Sequence, residues 1–200
     1  MQYKVKDFYF KRAKEQGYRS RAAYKLKEIL DKYKLLKGVR RIVDLGCAPG
    51  GFLQALAEKA GEKALIVGVD LKPTAPLSDE RIIILQGDAT EKKVQEEIKA
   101  RLGGSANLIV SDMAPSTSGV RELDAENSLE LCKSALEIAV EILAENGTLV
   151  MKIFESEEAN LFRKEMKQFF SEIKATRPQA TRKGSRELYI IAQGFRKSDG

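Results

Sequence analysis

The feature that most constrains this chain is the segment R-I-V-D-L-G-C-A-P-G-G-F at residues 41–52. The mostly apolar residues 42–45 predict a short buried strand, and the glycines after them predict a tight turn that opens a helix over residues 51–60. A strand, a turn and a helix in this order direct backbone N–H groups, a helix N-terminus and the carboxylate of Asp44 toward one concave site. The segment therefore predicts an α/β fold with a site for a nucleotide-like ligand.

The glycine-rich turn departs from the dinucleotide fingerprint G-x-G-x-x-G, because three other residues separate Gly46 from the pair Gly50-Gly51. Pro49 also removes an N–H group that a pyrophosphate would need. The turn therefore favours a ligand with an adenosine group and no phosphates, and the adjacent Asp44 favours a positive charge on that ligand. S-adenosylmethionine, a sulfonium, has both properties. An ordinary strand-to-helix turn without a ligand is the alternative.

Length and composition limit the classes of protein. With 200 residues and 43% hydrophobic content, the chain can form one sizeable core, and we expect a single domain over residues 1–200 with a basic helical extension at residues 1–37. No apolar run approaches the ~20 residues of a membrane span, and the N-terminus lacks the apolar core of a secretion signal. We therefore expect a cytoplasmic monomer without a membrane partner. The absence of histidine, with only Cys47 and Cys132 as thiols, excludes the common zinc spacings and histidine-based catalysis.

Charge is unevenly distributed along the chain. Residues 1–41 contain 14 Lys and Arg against 4 Asp and Glu, residues 42–173 contain 14 against 23, and residues 174–200 contain 7 against 2. If both ends fold onto one face, they form a basic collar, which is typical of nucleic-acid-binding proteins. Solvated helix faces are the alternative. The predicted members of the basic collar are Lys4, Lys6, Lys11, Arg12, Arg19, Arg21, Arg182, Lys183 and Arg186.

The rest of the chain alternates between strand and helix patterns. Strands are predicted at residues 42–45, 64–71, 81–88, 106–113 and 147–154, and helices at residues 18–36, 51–60, 91–102, 124–145 and 157–170. Ser20 is the predicted N-cap of the first of these helices. Residues 172–177 and 187–195 alternate as strands with no helix between them, which predicts an antiparallel pair. The fold class is therefore a mostly parallel seven-stranded sheet with one antiparallel strand and helices on both faces.

Acidic residues stand at the ends of four predicted strands: Asp44, Asp70, Asp88 and Asp112. Ligands of open parallel sheets bind at the carboxyl ends of the strands, so these acids are predicted to meet at one site. Asp70 follows Gly46 at the spacing from which an acid commonly binds ribose hydroxyls. Because Asp is also a favoured turn residue, a purely structural role is the alternative for each of them.

Lys152 interrupts the otherwise apolar strand L-V-M-K-I-F. A central parallel strand is buried on both faces, and an unpaired ammonium there is costly. We therefore expect Lys152 to lie at the strand end, to be paired with Asp112 or Glu155, or to be functional. A second lysine, Lys25, lies on the flank of the buried face of its predicted helix, from which its long stem can reach a cleft.

Four residues stand in the order of a known tetrad. Lys25 in G-Y-R-S-R-A-A-Y-K-L, Asp112 in S-D-M-A-P, Lys152 in V-M-K-I-F and Glu187 in S-R-E-L-Y-I match the K-D-K-E residues of the FtsJ/RrmJ-type ribose 2′-O-methyltransferases. With D-L-G-C-A-P-G-G-F, the resemblance extends over residues 9–194. It implies a Rossmann-like methyltransferase fold and S-adenosylmethionine as the cofactor. It also implies that the substrate is a uridine of large-subunit ribosomal RNA, free or in the ribosomal particle.

The resemblance also implies roles for single residues. Lys152 would accept the proton of the ribose hydroxyl, with Asp112, Lys25 and Glu187 beside it. As an alternative, Lys152 stays charged and orients the hydroxyl while Asp112 receives the proton. The residues predicted to contact the cofactor are Gly50, Phe52, Asp70, Asp88 and Asp112 by resemblance, and Asp44 and Gly46 from the turn itself. Phe52 stands where the bacterial members carry a tryptophan, so it keeps the apolar contact and lacks an indole donor.

Other functions share parts of this pattern. Methyltransferases of the transfer RNA anticodon loop carry the same tetrad, so the sequence leaves the choice of RNA open. A small-molecule methyltransferase or dehydrogenase would not need basic ends. A non-catalytic RNA-binding factor in ribosome assembly would not need the intact tetrad. The pattern therefore favours an RNA ribose methyltransferase.

Overall fold

A computed structural model describes residues 8–116 and 118–197, so Lys4 and Lys6 of the predicted basic collar lie outside the described residues. The helices are α1 Phe8–Glu15, α2 Ala22–Tyr33, α3 Gly51–Lys59, α4 Lys92–Leu102, α5 Arg121–Ile142 and α6 Glu157–Glu165. The strands are β1 Arg41–Leu45, β2 Leu65–Asp70, β3 Ile82–Gln86, β4 Ala106–Ser111, β5 Leu143–Phe154, β6 Phe170–Thr176 and β7 Glu187–Phe195. Within these ranges no helix is long and apolar enough to cross a membrane.

The seven strands form one sheet in the order β3-β2-β1-β4-β5-β7-β6. Strands β1 to β5 pair in parallel, and β7 is antiparallel to both β5 and β6. The order 3-2-1-4-5 is that of doubly wound Rossmann folds, whose ligands bind where the parallel strands end. The predicted fold class, including the single antiparallel strand, is confirmed.

The core consists of two apolar layers, one on each face of the sheet, because successive side chains of a strand point to opposite faces. In β5, Val150 packs with residues of α2 and α3, whereas its neighbours Leu149 and Met151 pack with residues of α4, α5 and α6. Lys152 is two residues beyond Val150 and therefore points to the α2 side, near the carboxyl end of the strand. The helix α2 contributes fully buried residues to that layer, so it belongs to the core.

The predicted helix over residues 18–36 begins four residues late, and Ser20 is not its N-cap. Arg21 holds the cap position without a side-chain cap hydrogen bond. The residues before it are tied to α3 instead: the Arg19 N–H donates to Gln54 Oε1 at 2.8 Å, and Gln54 Nε2 donates to the Gly17 carbonyl at 2.9 Å. Ser20 packs so closely on Gly51 that a Cβ there would lie 2.1 Å from its hydroxyl oxygen. Tertiary contacts thus override the local capping signal.

The predicted helix over residues 157–170 is also shorter than expected. It ends at Glu165, and the chain tightens into a 3-10 turn over Met166–Gln168 before β6 begins. The ring of Phe170 packs on that of Phe195 with a centroid distance of 5.4 Å. The apolar residues that suggested a longer helix therefore anchor an edge strand.

Candidate active site

Two adjoining cavities lie at the carboxyl ends of β1, β2 and β4. The larger has a volume of about 500 Å³, and the smaller has a volume of about 220 Å³. Gly46, Ala48 and Asp112 line both cavities. The turn after β1 and the residue after β4 therefore form the boundary that two ligands would share.

The larger cavity contains two of the acids predicted to bind the cofactor, Asp70 and Asp88. The two carboxylate oxygens of Asp70 accept the N–H groups of Ala48 and Lys72, each at 2.8 Å. Asp88 Oδ1 accepts the hydroxyl of Thr90 at 2.7 Å and its N–H at 2.9 Å, and these bonds hold the pKa of Asp88 below its usual value. A carboxylate accepts about four hydrogen bonds, so both acids retain acceptor capacity toward a ligand.

Asp44 lines neither cavity, although the sequence predicted it beside the ligand. Its side chain is completely buried, and no group in the described ranges donates a hydrogen bond to either carboxyl oxygen. Burial, followed by the negative charges of Asp112 and Asp70, raises the pKa of Asp44 well above its usual value. The carboxyl group of Asp44 is therefore protonated more readily in the folded protein than in the unfolded chain, and it lies inside the sheet and not on a cavity wall.

Replacing Asp44 with asparagine should change how stability depends on pH. Because the pKa of Asp44 is raised on folding, the folded state binds its proton more tightly, and stability decreases as pH rises above the unfolded value of ~3.9. Asparagine does not titrate. Above about pH 4, the free energy of unfolding of the wild type should therefore fall relative to that of Asp44→Asn as pH rises, by at most ~1.4 kcal/mol per pH unit. Urea unfolding of both proteins over a pH series measures this difference.

The matched control for this prediction is Asp31→Asn, which makes the same substitution at an exposed carboxylate of α2 that pairs with Lys59. Comparing the two variants separates the effect of a buried carboxyl group from that of an exposed one. If the wild-type and Asp44→Asn curves run parallel between pH 4 and 8, the predicted proton binding by Asp44 is wrong.

The smaller cavity brings the predicted tetrad together. Lys25 on α2 forms a salt bridge with Glu187 at the start of β7, with 2.7 Å between Nζ and Oε2. Lys152 Nζ lies 2.9 Å from Asp112 Oδ1 and donates to the Asp112 carbonyl at 2.8 Å. The antiparallel register of β5 and β7 pairs Lys152 with Tyr189, so the start of β7 meets the end of β5. The salt bridge with Asp112 that the sequence left open is therefore present.

Charges within the smaller cavity keep Glu187 ionised. Burial alone would raise its pKa, but the charge and hydrogen bond of Lys25, with the charges of Lys152 and Arg21, lower the pKa below its usual value. Lys25 and Lys152 are both nearly fully buried. The lining of the smaller cavity contains three basic side chains, those of Arg21, Lys25 and Lys152, and two acidic ones, those of Asp112 and Glu187, so its formal charge is slightly positive.

Tyr189 belongs to this network, although the sequence analysis did not select it. Its fully buried hydroxyl donates to Asp112 Oδ1 at 2.7 Å, and its ring centroid lies 5.9 Å from Lys25 Nζ. Burial, followed by the charge of Asp112, raises the pKa of Tyr189 well above its usual value, so it remains a neutral donor. The available signal was its position two residues after Glu187, on the same face of the strand.

The two remaining predicted cofactor residues lie apart from the larger cavity. Phe52 lines the smaller cavity, and its ring packs on that of Tyr189 at a centroid distance of 6.4 Å. Gly50 lines neither cavity. Its φ of +111° favours glycine, and a Cβ there would lie 3.0 Å from a guanidinium nitrogen of Arg19.

The described members of the predicted basic collar occupy three kinds of position. Arg21 lines the smaller cavity, and burial, followed by the charge of Arg182, lowers its pKa, so the two basic ends of the chain approach each other there. Two members make hydrogen bonds to backbone carbonyls: Arg186 to Arg121 at 2.6 Å, and Arg19 to three residues. The members with exposed side chains are Lys11, Arg12, Arg182 and Lys183.

The chain is similar to known proteins over almost its whole length. Residues 18–195 match the family described as FtsJ-like methyltransferase. The chain is 42% identical to the ribosomal RNA large subunit methyltransferase E of Syntrophobacter fumaroxidans, over 99% of this chain and 100% of that protein. It is 44% identical to the enzyme of the same name from Methanothrix thermoacetophila, over 94% of this chain and 72% of that protein.

A solved structure of a ribosomal RNA methyltransferase from Plasmodium falciparum has the same fold. It superposes with a TM-score of 0.78 and is 28% identical, over 89% of this chain and 98% of that chain. The family match covers the turn after β1, the four strand-end acids and the tetrad. The chain therefore belongs to the FtsJ-like methyltransferase family.

Proposed function

We propose that this chain transfers a methyl group from S-adenosylmethionine to the ribose 2′-hydroxyl of a uridine in large-subunit ribosomal RNA. The observation that carries the proposal is the convergence of Lys25, Asp112, Lys152 and Glu187 on one cavity, directly beside a second cavity large enough for a nucleoside. Relatives named as ribosomal RNA large subunit methyltransferases support this substrate, and they support a cytoplasmic site of action.

The larger cavity fits S-adenosylmethionine. Its volume of about 500 Å³ is within the range of small-molecule sites. Asp70, at the end of β2, is in position to accept hydrogen bonds from ribose hydroxyls. Asp88, beyond β3, is in position to accept a hydrogen bond from the amino group of the adenine. The cofactor, when bound, supplies the methyl group. Asp112 lines both cavities, so its carboxylate can face a positively charged cofactor from one side and the substrate from the other.

The smaller cavity fits a ribose. A hydroxyl that attacks a methyl group must lose its proton, and a positioned side chain has to accept it. Lys152 Nζ is the proposed acceptor, held by Asp112, whose Oδ1 also accepts the hydroxyl of Tyr189. Lys25 and Glu187 position the ribose and balance the local charge. In the second form of the mechanism, Lys152 stays an ammonium that orients the hydroxyl, and the Asp112 carboxylate receives the proton.

The choice of RNA is tested by incubating the protein with labelled S-adenosylmethionine and three substrates in parallel: large ribosomal subunits, free ribosomal RNA and transfer RNA. We expect label in large-subunit RNA, at a ribose 2′-oxygen of uridine. Label in the transfer RNA anticodon loop would instead support the second candidate, which shares the tetrad. Binding of RNA without any methyl transfer would contradict the proposal and leave an assembly factor.

The exposed members of the basic collar predict a steep salt dependence of RNA binding. If Lys11, Arg182 and Lys183 contact phosphates, each alanine substitution should weaken RNA binding and flatten the plot of log affinity against log salt by about one unit. Cofactor affinity should stay unchanged. Lys92→Ala, an exposed lysine of α4 on the other face of the sheet, is the matched control. A salt-independent RNA affinity would show that these are solvated helix and loop faces.

A further inference from the structure

Arg19, a member of the predicted basic collar, has its guanidinium directed toward the protein backbone. Its guanidinium donates to the carbonyls of Pro49 at 3.2 Å, Ala75 at 2.5 Å and Pro76 at 2.6 Å. These acceptors come from two segments, the turn after β1 and the loop after β2, which are far apart in sequence. One side chain therefore joins three separate parts of the chain.

The segment that carries Arg19 is itself fixed to α3. The Arg19 N–H donates to Gln54 Oε1, and Gln54 Nε2 returns a bond to the Gly17 carbonyl. The stem of Arg19 also lies against Gly50, where a Cβ would approach its Cδ to 3.1 Å. The backbone of Arg19 is thus fixed to α3 and its stem packs on Gly50, so the fold sets the direction of the guanidinium toward the three carbonyls.

Both segments joined by Arg19 border the larger cavity. Pro49 directly follows Ala48, which lines it, and the loop that holds Ala75 and Pro76 begins with Leu71 and Lys72, which also line it. The same turn and loop are linked a second time through Asp70, which accepts the N–H groups of Ala48 and Lys72. Arg19 therefore connects the turn and the loop whose neighbouring residues, Ala48, Leu71 and Lys72, line the larger cavity.

We infer that Arg19 is a positioning residue for cofactor binding and does not contact RNA phosphates. The inference rests on the proposed function, because it assigns S-adenosylmethionine to the larger cavity. Arginine has five N–H donors, and three of them, on Nη1 and Nη2, are bonded to carbonyls, so the end of the fork formed by these two nitrogens is already occupied. A phosphate that bound through Nη1 and Nη2 together would have to break bonds that hold the turn and the loop together.

The test compares Arg19→Ala, Arg19→Lys and Lys14→Ala. Lys14 is an exposed cation on α1, so its substitution removes the same charge from the same end of the chain. For Arg19→Ala we expect calorimetry to show cofactor affinity lowered about 10-fold or more. RNA affinity and its salt slope should match those of Lys14→Ala. Lysine presents its three N–H donors from one nitrogen, whereas the carbonyls are spread over Nη1 and Nη2 of Arg19, so Arg19→Lys should recover only part of the cofactor affinity.

A steady-state readout separates positioning from a general loss of structure. For Arg19→Ala, KM for S-adenosylmethionine should rise while kcat at saturating cofactor stays within about twofold, because the tetrad is untouched. An unchanged cofactor affinity with a flattened RNA salt slope would overturn the inference and make Arg19 a phosphate contact. An equal fall of kcat, RNA affinity and urea midpoint would overturn it as well. If wild-type protein binds no S-adenosylmethionine, the proposed function fails first.

Discussion

Replacing Lys152 with alanine is expected to slow methyl transfer about 10²- to 10⁴-fold, the range that one positioned acid–base group contributes. Lys152 Nζ is held by the side chain and the carbonyl of Asp112, and it lies in the cavity proposed for the ribose. The measurement is the single-turnover rate with RNA and S-adenosylmethionine both bound. The affinity for S-adenosylmethionine should stay near the wild-type value because the proposed cofactor contacts lie mostly in the other cavity, and the affinity for RNA should stay near it because the proposed phosphate contacts lie in the basic collar.

Variants of neighbouring residues show whether Lys152 acts as the base. Asp112→Ala should be nearly as damaging, because Asp112 orients Lys152 and borders both cavities. Lys25→Ala and Glu187→Ala should cost less if they only position the ribose. Lys174→Ala, at a lysine of β6 paired with Glu172, controls for loss of a lysine from the sheet. A near-normal rate in Lys152→Ala would require Asp112 or a water relay as the proton acceptor.

The strands and their parallel or antiparallel pairing were predictable because they depend on local patterns and on general rules of chain topology. Apolar runs marked β1 to β5, and the two late alternating segments predicted the antiparallel strand. Acids at strand ends predicted the edge of the sheet at which Asp70, Asp88 and Asp112 lie. The Lys25–Glu187 salt bridge spans 162 positions, and only the family resemblance placed its partners in one set.

Features that depend on tertiary contacts were not predictable. Ser20 is a residue type that favours N-caps, but hydrogen bonds between Gln54 and the neighbouring backbone attach its segment to α3. Arg19 resembles the other arginines of the basic collar, and only the folded loops reveal three carbonyls around its guanidinium. Asp44 and Tyr189 follow the strand pattern, but their complete burial depends on how α2 and α3 cover the sheet. Sequence patterns indicate which residues share an edge, and packing decides which of them a ligand can reach.

Replacing Asp70 with alanine is expected to weaken binding of S-adenosylmethionine about 10- to 100-fold, because hydrogen bonds to a charged group contribute about 1.5–3 kcal/mol each. Asp70 stands at the end of β2 in the wall of the larger cavity. Calorimetry of the two proteins measures the change. Asp31→Ala, which removes an exposed carboxylate of α2, should leave the affinity unchanged. An unchanged affinity in Asp70→Ala would remove Asp70 from the site.

A loss of affinity in Asp70→Ala has two physical explanations that need to be separated. The carboxylate also accepts the N–H groups of Ala48 and Lys72, so its removal could loosen the cavity wall without any ribose contact. An S-adenosylhomocysteine analogue without the 2′- and 3′-hydroxyls distinguishes them in a double-mutant cycle. If Asp70 binds the ribose, the loss from removing the hydroxyls and the loss from removing the carboxylate should not add. Additive losses would mean that Asp70 acts only through the backbone of the turn and the loop.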